Sequence, residues 1–315
     1  MIKSTLKVTF AIVLLASCKQ KPADRTENGL TGQLEKAPSG MVYKITHTND
    51  NEKLIQQGQI AKINLTYTIK STDSVLQTTV GKMPGYVKFD TAMLKQAKYD
   101  FIEIFNKFKK GDKVEFSLSV DTLAKLGALQ INNIFKKGDF IIGKVDVVNI
   151  FSSEELAKED GTKENKILNE NQKKPIREYL AKNNIKNAIE TPEGVFVVVK
   201  TTGDASNKVD STKQVSVNYK GYHLNGTTFD TNMKPGGTPL LVRIYESNVI
   251  YGWHIGLNYF NKGGTGTLYV PSYLAYGEQG AGAEIKPNES IAFDIEVLDV
   301  KKKEALPKQS AASPR

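Results

Sequence analysis

Residues 215–230, VSVNYKGYHLNGTTFD, decide the fold of the second half of the chain. Apolar and polar residues alternate along Val215, Val217 and Tyr219, and a period of two is typical of a strand with one buried face. Asn225-Gly226 is the dipeptide best suited to a tight turn between antiparallel strands. The stretch therefore predicts a β-hairpin with one apolar side.

The residues that follow predict a short helix and two further strands. VIYGWHIGL, from Val249, is apolar and ends near a glycine, as a short buried helix does. A strand, a long loop containing LAYGEQGAG and a last strand, IAFDIEVLDV from Ile291, complete the order. Several antiparallel strands around one short helix predict an α+β fold whose core lies between sheet and helix.

The same order of segments occurs earlier in the chain, and such internal similarity indicates a duplicated domain. The alternation KINLTYTI, from Lys62, matches QVSVNYKG, from Gln214, and this match places Tyr67 over Tyr219. The other matched pairs are PSGMVYKI with PEGVFVVV, FIEIFNKFKKGDKVEF with WHIGLNYFNKGGTGTL, and IIGKVDVVNI with IAFDIEVLDV.

Between the two copies, residues 152–191 are polar and rich in helix formers. Ser152 with Glu155 forms a capping box, so a helix is predicted from about residue 153. Gly161 and Pro175 are expected to break or kink it, with Pro175 opening a second helix. We interpret the segment as a helical linker that is too polar for a core element; a dimerisation arm is the alternative.

The first residues, MIKSTLKVTFAIVLLASC, have the pattern of a secretory signal. A basic start is followed by an apolar run that is too short to span a membrane. Leu15, Ala16 and Ser17 precede Cys18, the only cysteine, and this resembles the lipobox at which bacterial lipoproteins are cleaved and lipidated. We predict a signal peptide at 1–17 and a lipid on Cys18; a free thiol in an ordinary signal peptide is the alternative.

The remaining composition excludes several classes of function. The formal net charge is +9, but the lysines are scattered and form no stripe with aromatic residues, so nucleic-acid binding is not expected. Residues 18–37 and 302–315 have the polar composition of a flexible spacer and a disordered tail. The three histidines are too far apart for a metal site, and no phosphate-binding loop occurs, so neither metal nor cofactor is predicted. His254 is expected to face solvent beside Trp253.

Four motifs of the second copy together resemble the FKBP-type peptidyl-prolyl cis/trans isomerases. They are VSVNYKGYHLNGTTFD, VIYGWHIGL, LAYGEQGAG and IKPNESIAFDIEVL. The resemblance implies an isomerase domain at 192–301 and a related domain at 38–151, each an antiparallel sheet wrapped around a short helix. It also implies that proline-containing polypeptides are the substrates.

Matching the motifs position by position implies a pocket for the proline ring. Trp253 would form its floor, with Tyr219, Phe229 and Phe293 as walls and Asp230 at the mouth. The Tyr276 hydroxyl and the Ile250 backbone N–H would each bond a carbonyl of the peptide. Further substrate contacts implied by the resemblance are Leu240, Val242, Val249, Ile250 and Ile285.

The first copy lacks most of this set. Phe101 stands for the tryptophan, Leu126 for Tyr276 and Gly143 for Phe293, and VLQTT occurs where Phe229-Asp230 would be. We expect this domain to fold without catalysing isomerisation. The leading hypothesis is thus a lipid-anchored isomerase of the bacterial cell envelope, facing the extracytoplasmic side. The alternative is a non-catalytic binding or assembly lipoprotein.

Overall fold

The structure, a computed structural model, describes residues 30–303. The predicted signal peptide, Cys18 and most of the spacer lie outside the described residues, as does nearly all of the 302–315 tail. The chain divides into two compact units between Leu168 and Asn169. Within the described part of the chain, no helix is both long and apolar enough to cross a membrane.

The first unit is built on a seven-stranded antiparallel sheet. Its strands are β1 (Glu35–Lys36), β2 (Val42–Thr46), β3 (Ile60–Ile69), β4 (Val75–Thr78), β5 (Gly85–Lys88), β6 (Lys113–Ser119) and β7 (Phe140–Phe151). They lie in the order β1-β2-β6-β7-β3-β4, and β5 also pairs with β3. The helices are α1 (Thr91–Gln96), a 3₁₀ helix (Phe101–Lys107) and α2 (Val120–Lys125).

One helix, α3 (Glu154–Lys182), occupies most of the predicted linker. The helix is not broken at Gly161 or Pro175, because both lie inside it, so the expectation that Pro175 opens a second helix is wrong. The expectation that the segment is too polar to join a core is also wrong. Ile176 and Leu180 pack on the sheet of the second unit, and this burial offsets the backbone hydrogen bond that a proline removes.

The second unit repeats the architecture of the first. Its strands are β8 (Ile189–Glu190), β9 (Phe196–Thr201), β10 (Asp204–Lys208), β11 (Lys213–His223), β12 (Thr228–Thr231), β13 (Leu240–Arg243), β14 (Asn261–Lys262), β15 (Thr265–Val270) and β16 (Ile291–Lys302). Strands β10 and β14 form a separate pair. The helices are α4 (Tyr251–Gly256) and 3₁₀ turns at Leu257–Tyr259 and Ser272–Leu274.

The two sheets have the same connectivity. The second runs β8-β9-β15-β16-β11-β12, with β13 pairing β11 as β5 pairs β3. The predicted hairpin is present as β11 and β12, and Gly226 adopts a positive φ in its turn. The predicted α+β fold, a sheet around short helices in each half, is confirmed.

The strand pairing corrects the register of the internal match. Each long central pair has a bulge at the same place, between Lys62 and Ile63 in β3 and between Ser216 and Val217 in β11. Counted from the bulge, Leu65 corresponds to Tyr219, so the sequence match of Tyr67 with Tyr219 is wrong. A strand pattern repeats every two residues, and a slip of two therefore leaves the alternation intact.

Candidate active site

The hairpin β11–β12 carries three of the predicted site residues. The Tyr219 hydroxyl donates a hydrogen bond to Asp230 Oδ2 at 2.6 Å. Burial and this hydrogen bond to the carboxylate raise the pKa of Tyr219 to about 12. The phenol is therefore protonated near neutral pH and holds the carboxylate beside the aromatic wall.

Asn232 fixes the geometry of the same hairpin, and the sequence reading missed it. Its Oδ1 accepts from the Tyr219 backbone N–H at 2.6 Å, and its Nδ2 donates to the carbonyls of Val217 and Thr238 at 3.0 Å each. One side chain thus links the strand that bears Tyr219 to the segment that follows Asp230. The position of Asn232, two residues beyond the Phe229-Asp230 pair, was the only available signal.

Helix α4 places Trp253 under the hairpin. Gly252 allows the helix to approach strand β15, because a Cβ at this position would lie 2.3 Å from a Val270 methyl. Trp253 is only 3% exposed. Its indole Nε1 is buried and has no hydrogen-bond partner within residues 30–303. Leaving a buried donor unpaired costs about 1–3 kcal/mol.

Four aromatic rings meet at this place. Trp253 contacts Tyr219 and Phe293 edge to face, each with ring centroids 5.2 Å apart. Phe229 meets Phe293 edge to face at 5.8 Å. The rings form one connected cluster that can surround an apolar ligand group.

Gly221 is required for this cluster and was not identified from the sequence. It pairs with Phe293 across β11 and β16. A Cβ at Gly221 would lie 2.7 Å from the Phe229 ring and 2.9 Å from the Phe293 ring. Any side chain here would displace the two walls.

The rim offers two groups that can donate to a peptide carbonyl. Tyr276 is 38% exposed, and its hydroxyl has no partner within the described residues. Burial and the nearby Asp230 carboxylate raise the pKa of Tyr276, which keeps the phenol protonated. Ile250 is the residue before helix α4, and its backbone N–H donates to no group in residues 30–303. Leu240, Val249 and Ile250 are half-buried against the core.

Two predicted contacts are placed differently from the others. Val242 has no exposed surface, so its assignment to direct substrate contact is corrected: its side chain belongs to the core behind the rim. Ile285 is also buried, and its backbone pairs with Ala281 across the long loop, where it supports the segment that carries Tyr276.

The histidines also differ from expectation. His254 was predicted to face solvent beside Trp253, but it is 4% exposed. Its Nδ1 accepts from the Tyr245 backbone N–H at 3.0 Å, and its Nε2 lies 3.2 Å from the Ser247 carbonyl. Burial lowers the pKa of His254, which favours the neutral ring. Within residues 30–303, no cluster of three or more potential metal-binding side chains occurs.

A family of known proteins matches part of the second unit, and individual relatives are similar to part of the chain. Residues 205–298 match the family described as FKBP-type peptidyl-prolyl cis-trans isomerase, and this range contains every residue predicted for the pocket and rim. A probable FKBP-type isomerase of Haemophilus influenzae is 39% identical over 113 residues, covering 36% of this chain and 45% of that protein. The isomerase Mip of Coxiella burnetii is 43% identical over 93 residues, covering 29% and 38% respectively.

One solved structure is compared by its identity, coverage and TM-score. The crystal structure of FkpA from Escherichia coli is 34% identical, and the similarity covers 47% of this chain and 68% of that one, with a TM-score of 0.37. The chain spans less than half the length of the two curated relatives named above.

Proposed function

We propose that the protein isomerises X-Pro bonds in polypeptide clients, using the part of the second unit, residues 205–298, that matches the FKBP-type peptidyl-prolyl cis-trans isomerase family. The observation that carries the proposal is the ring cluster of Trp253, Tyr219, Phe293 and Phe229, bordered by two unengaged donors. An apolar enclosure with a few directed hydrogen bonds is what this reaction needs.

The energetic demand of the reaction suits such a site. Rotation about the X-Pro bond crosses a barrier of about 18–20 kcal/mol, most of it lost amide resonance. The twisted amide is less polar than the planar one, so an apolar pocket favours it. Each hydrogen bond supplies about 1–1.5 kcal/mol, and about 1.4 kcal/mol corresponds to tenfold in rate. No nucleophile or general base is required.

The side chains take distinct roles in this proposal. Trp253 supports the proline ring, and Tyr219, Phe229 and Phe293 exclude water around it. The Tyr276 hydroxyl and the Ile250 N–H bind peptide carbonyls. Asp230 accepts the Tyr219 hydroxyl hydrogen bond at the mouth of the pocket and so holds that hydroxyl in place.

The test is an isomerisation assay on a proline tetrapeptide with the full chain and a Tyr276→Phe variant. We expect the wild-type chain to accelerate relaxation and the variant to lose about 3- to 10-fold in kcat/KM, the value of one hydrogen bond. Tyr273→Phe is the matched control, because the Tyr273 hydroxyl already donates to the Glu193 carbonyl. A wild-type chain without activity would refute the proposal.

For location, we propose an extracytoplasmic protein of the bacterial envelope, anchored by a lipid on Cys18. The support is the sequence alone: the signal-like start and the lone cysteine after Leu15-Ala16-Ser17. Residues 18–37 would hold the folded units away from the membrane. Labelled palmitate should be incorporated into the wild-type chain and not into Cys18→Ser.

A second role is proposed for the first unit, which would be a degenerate FKBP-like domain at 38–151. Its place corresponding to the pocket is filled by its own rings: Phe116 meets Tyr67 at 5.8 Å and Phe101 at 5.6 Å. This favours a domain that binds clients or partners by another surface, or spaces the active domain. If the second unit also lacked activity, the alternative hypothesis would apply, and the protein would be a non-catalytic binding or assembly lipoprotein.

A further inference from the structure

A tyrosine in an unfavourable backbone conformation lies close in sequence to the pocket rim. Tyr245 has φ +63°, in the left-handed region, where the Cβ of a non-glycine residue approaches the backbone oxygen. The conformation is held by several bonds: Tyr245 N donates to His254 Nδ1, and Arg243 N donates to Ser247 Oγ at 2.7 Å. Strain that its surroundings enforce in this way is concentrated at functional sites.

The strained backbone presents its side chain to solvent. Tyr245 is 46% exposed, and a second tyrosine beside it, Tyr251, is 54% exposed. Their ring centroids are 6.0 Å apart with the planes tilted by 49°. The neutral His254 ring lies beneath both, 5.4 Å from Tyr245 and 6.3 Å from Tyr251. Asn258 Nδ2 donates a hydrogen bond to the Tyr245 hydroxyl at 3.3 Å. Tyr245 and Tyr251 therefore contact the protein on one side and solvent on the other.

The pair is continuous with the proposed peptide path. Tyr251 directly follows Ile250, whose N–H is the proposed donor to the client backbone. An extended peptide advances about 3.3 Å per residue, so two to four residues beyond the proline cover about 7–13 Å. A client chain that leaves the pocket past Ile250 therefore comes within reach of these rings.

The charges nearby do not favour a charged occupant. Glu246, next to Tyr245, pairs with Arg243 at 2.8 Å and with Lys303 at 2.7 Å. Its carboxylate is thus already compensated on two sides. What the two rings offer is apolar surface with aromatic edges and faces, which suits aromatic side chains best.

We propose that Tyr245 and Tyr251 form an aromatic subsite for an aromatic client side chain two to four residues beyond the proline. The proposal rests on the isomerase function above and adds a sequence preference to it. Short tetrapeptides do not reach the subsite, whereas unfolded protein chains do.

The test uses the full chain and two decapeptides that differ at one position, with Phe or Ala three residues from the proline on the side that passes Ile250. Binding is followed by the fluorescence of Trp253, the only tryptophan, and turnover by the isomerisation assay. The wild-type chain should prefer the Phe peptide by about 3- to 10-fold, expressed in Kd and KM, as one aromatic contact supplies.

Three variants and one control separate the contributions. Tyr245→Asn keeps the left-handed backbone, which asparagine tolerates, and Tyr251→Ala removes the second ring. Each of these two variants should bring the ratio of Kd values, and of KM values, between the Phe and Ala peptides close to one. Tyr245→Phe should keep the wild-type ratio. Ile189→Ala removes an equally exposed apolar side chain from β8 and should also retain it.

Each outcome is decisive. A ratio near one in the wild-type chain, or a ratio that survives both ring deletions, overturns the subsite. Self-association that disappears in Tyr251→Ala would overturn it too, because the rings would then be covered by a second copy. If the tetrapeptide itself is not isomerised, the proposed function fails. An active enzyme without preference removes only the subsite.

Discussion

The corresponding places in the two units contain the same kinds of residue in exchanged positions. In the first unit, three neighbouring strands carry Tyr67, Gly143 and Phe116 side by side. In the second, the same three strands carry Gly221, Phe293 and Leu268. The glycine lies on the middle strand in the first unit and on an outer strand in the second, and an aromatic residue takes the other position in each. The third strand carries Phe in the first unit and Leu in the second.

This exchange changes which rings cover the glycine and whether they reach the surface. Above Gly143 the Phe116 ring fills the available volume, since a Cβ there would lie 2.0 Å from it, and Phe101 and Tyr67 close the cluster from both sides. Above Gly221, the rings of Phe229 and Phe293 stand over Trp253, with half-buried Tyr219 and Phe229 reaching the surface. One fold thus supports a filled core and a candidate pocket.

The largest expected effect is the loss of stability on removing Phe101, which stands in the first unit where Trp253 stands in the second. Phe101→Ala should lower the free energy of unfolding of the first unit by about 3–5 kcal/mol, because a buried ring is lost from a filled cluster. Hydrogen exchange in β3, β6 and β7 measures this loss. Isomerase activity should persist under conditions in which the variant is folded. If activity fell with it, the first unit would take part in catalysis and the contrast between the units would be lost.

A smaller effect comes from adding one methyl group to each exchanged glycine. Gly143→Ala should destabilise the first unit by about 1–3 kcal/mol, because Phe116 is enclosed and has little room to move. Gly221→Ala should act mainly on isomerase kcat/KM, since half-buried Phe229 can yield and the wall shifts. Activity and hydrogen exchange measured on both variants check the difference. Equal loss of isomerase activity in Gly143→Ala and Gly221→Ala would contradict this predicted difference.

The smallest effect concerns acid stability and His254. Burial lowers its pKa in the folded state, so below about pH 6.5 the unfolded chain binds a proton that the folded chain resists. Stability of the second unit should therefore fall as the pH drops below about 6.5, by less than the ~1.4 kcal/mol per pH unit that one proton allows. Urea unfolding followed by Trp253 fluorescence measures the slope.

The control for this last experiment is His254→Gln, which removes the titrating group. The variant should show a shallower dependence between pH 7 and 5 than the wild-type chain. Identical slopes would mean that folding does not lower the pKa of His254.

The candidate site residues came from the resemblance of four sequence motifs to a known family. The motifs that carry Trp253, Phe229-Asp230 and Tyr276 lie close together in the structure, and the roles of these residues stay predictions. Val242 and His254 were misplaced, since exposure depends on what packs against a residue from elsewhere in the chain. Asn232 and Gly221 were missed for a related reason: their importance lies in partners that only the folded hairpin and sheet bring close.

The sequence by itself determined the strands, the Asn225-Gly226 turn, the short helix and the repeated order of segments, because these depend on local periodicity and turn chemistry. Only the tertiary structure decided which glycine lies opposite which ring. That pairing depends on a bulge in β3 and β11, and an alternating pattern is unchanged by a slip of two residues. It also decided that α3 is continuous through Pro175, because burial of Ile176 and Leu180 outweighs a local propensity to break.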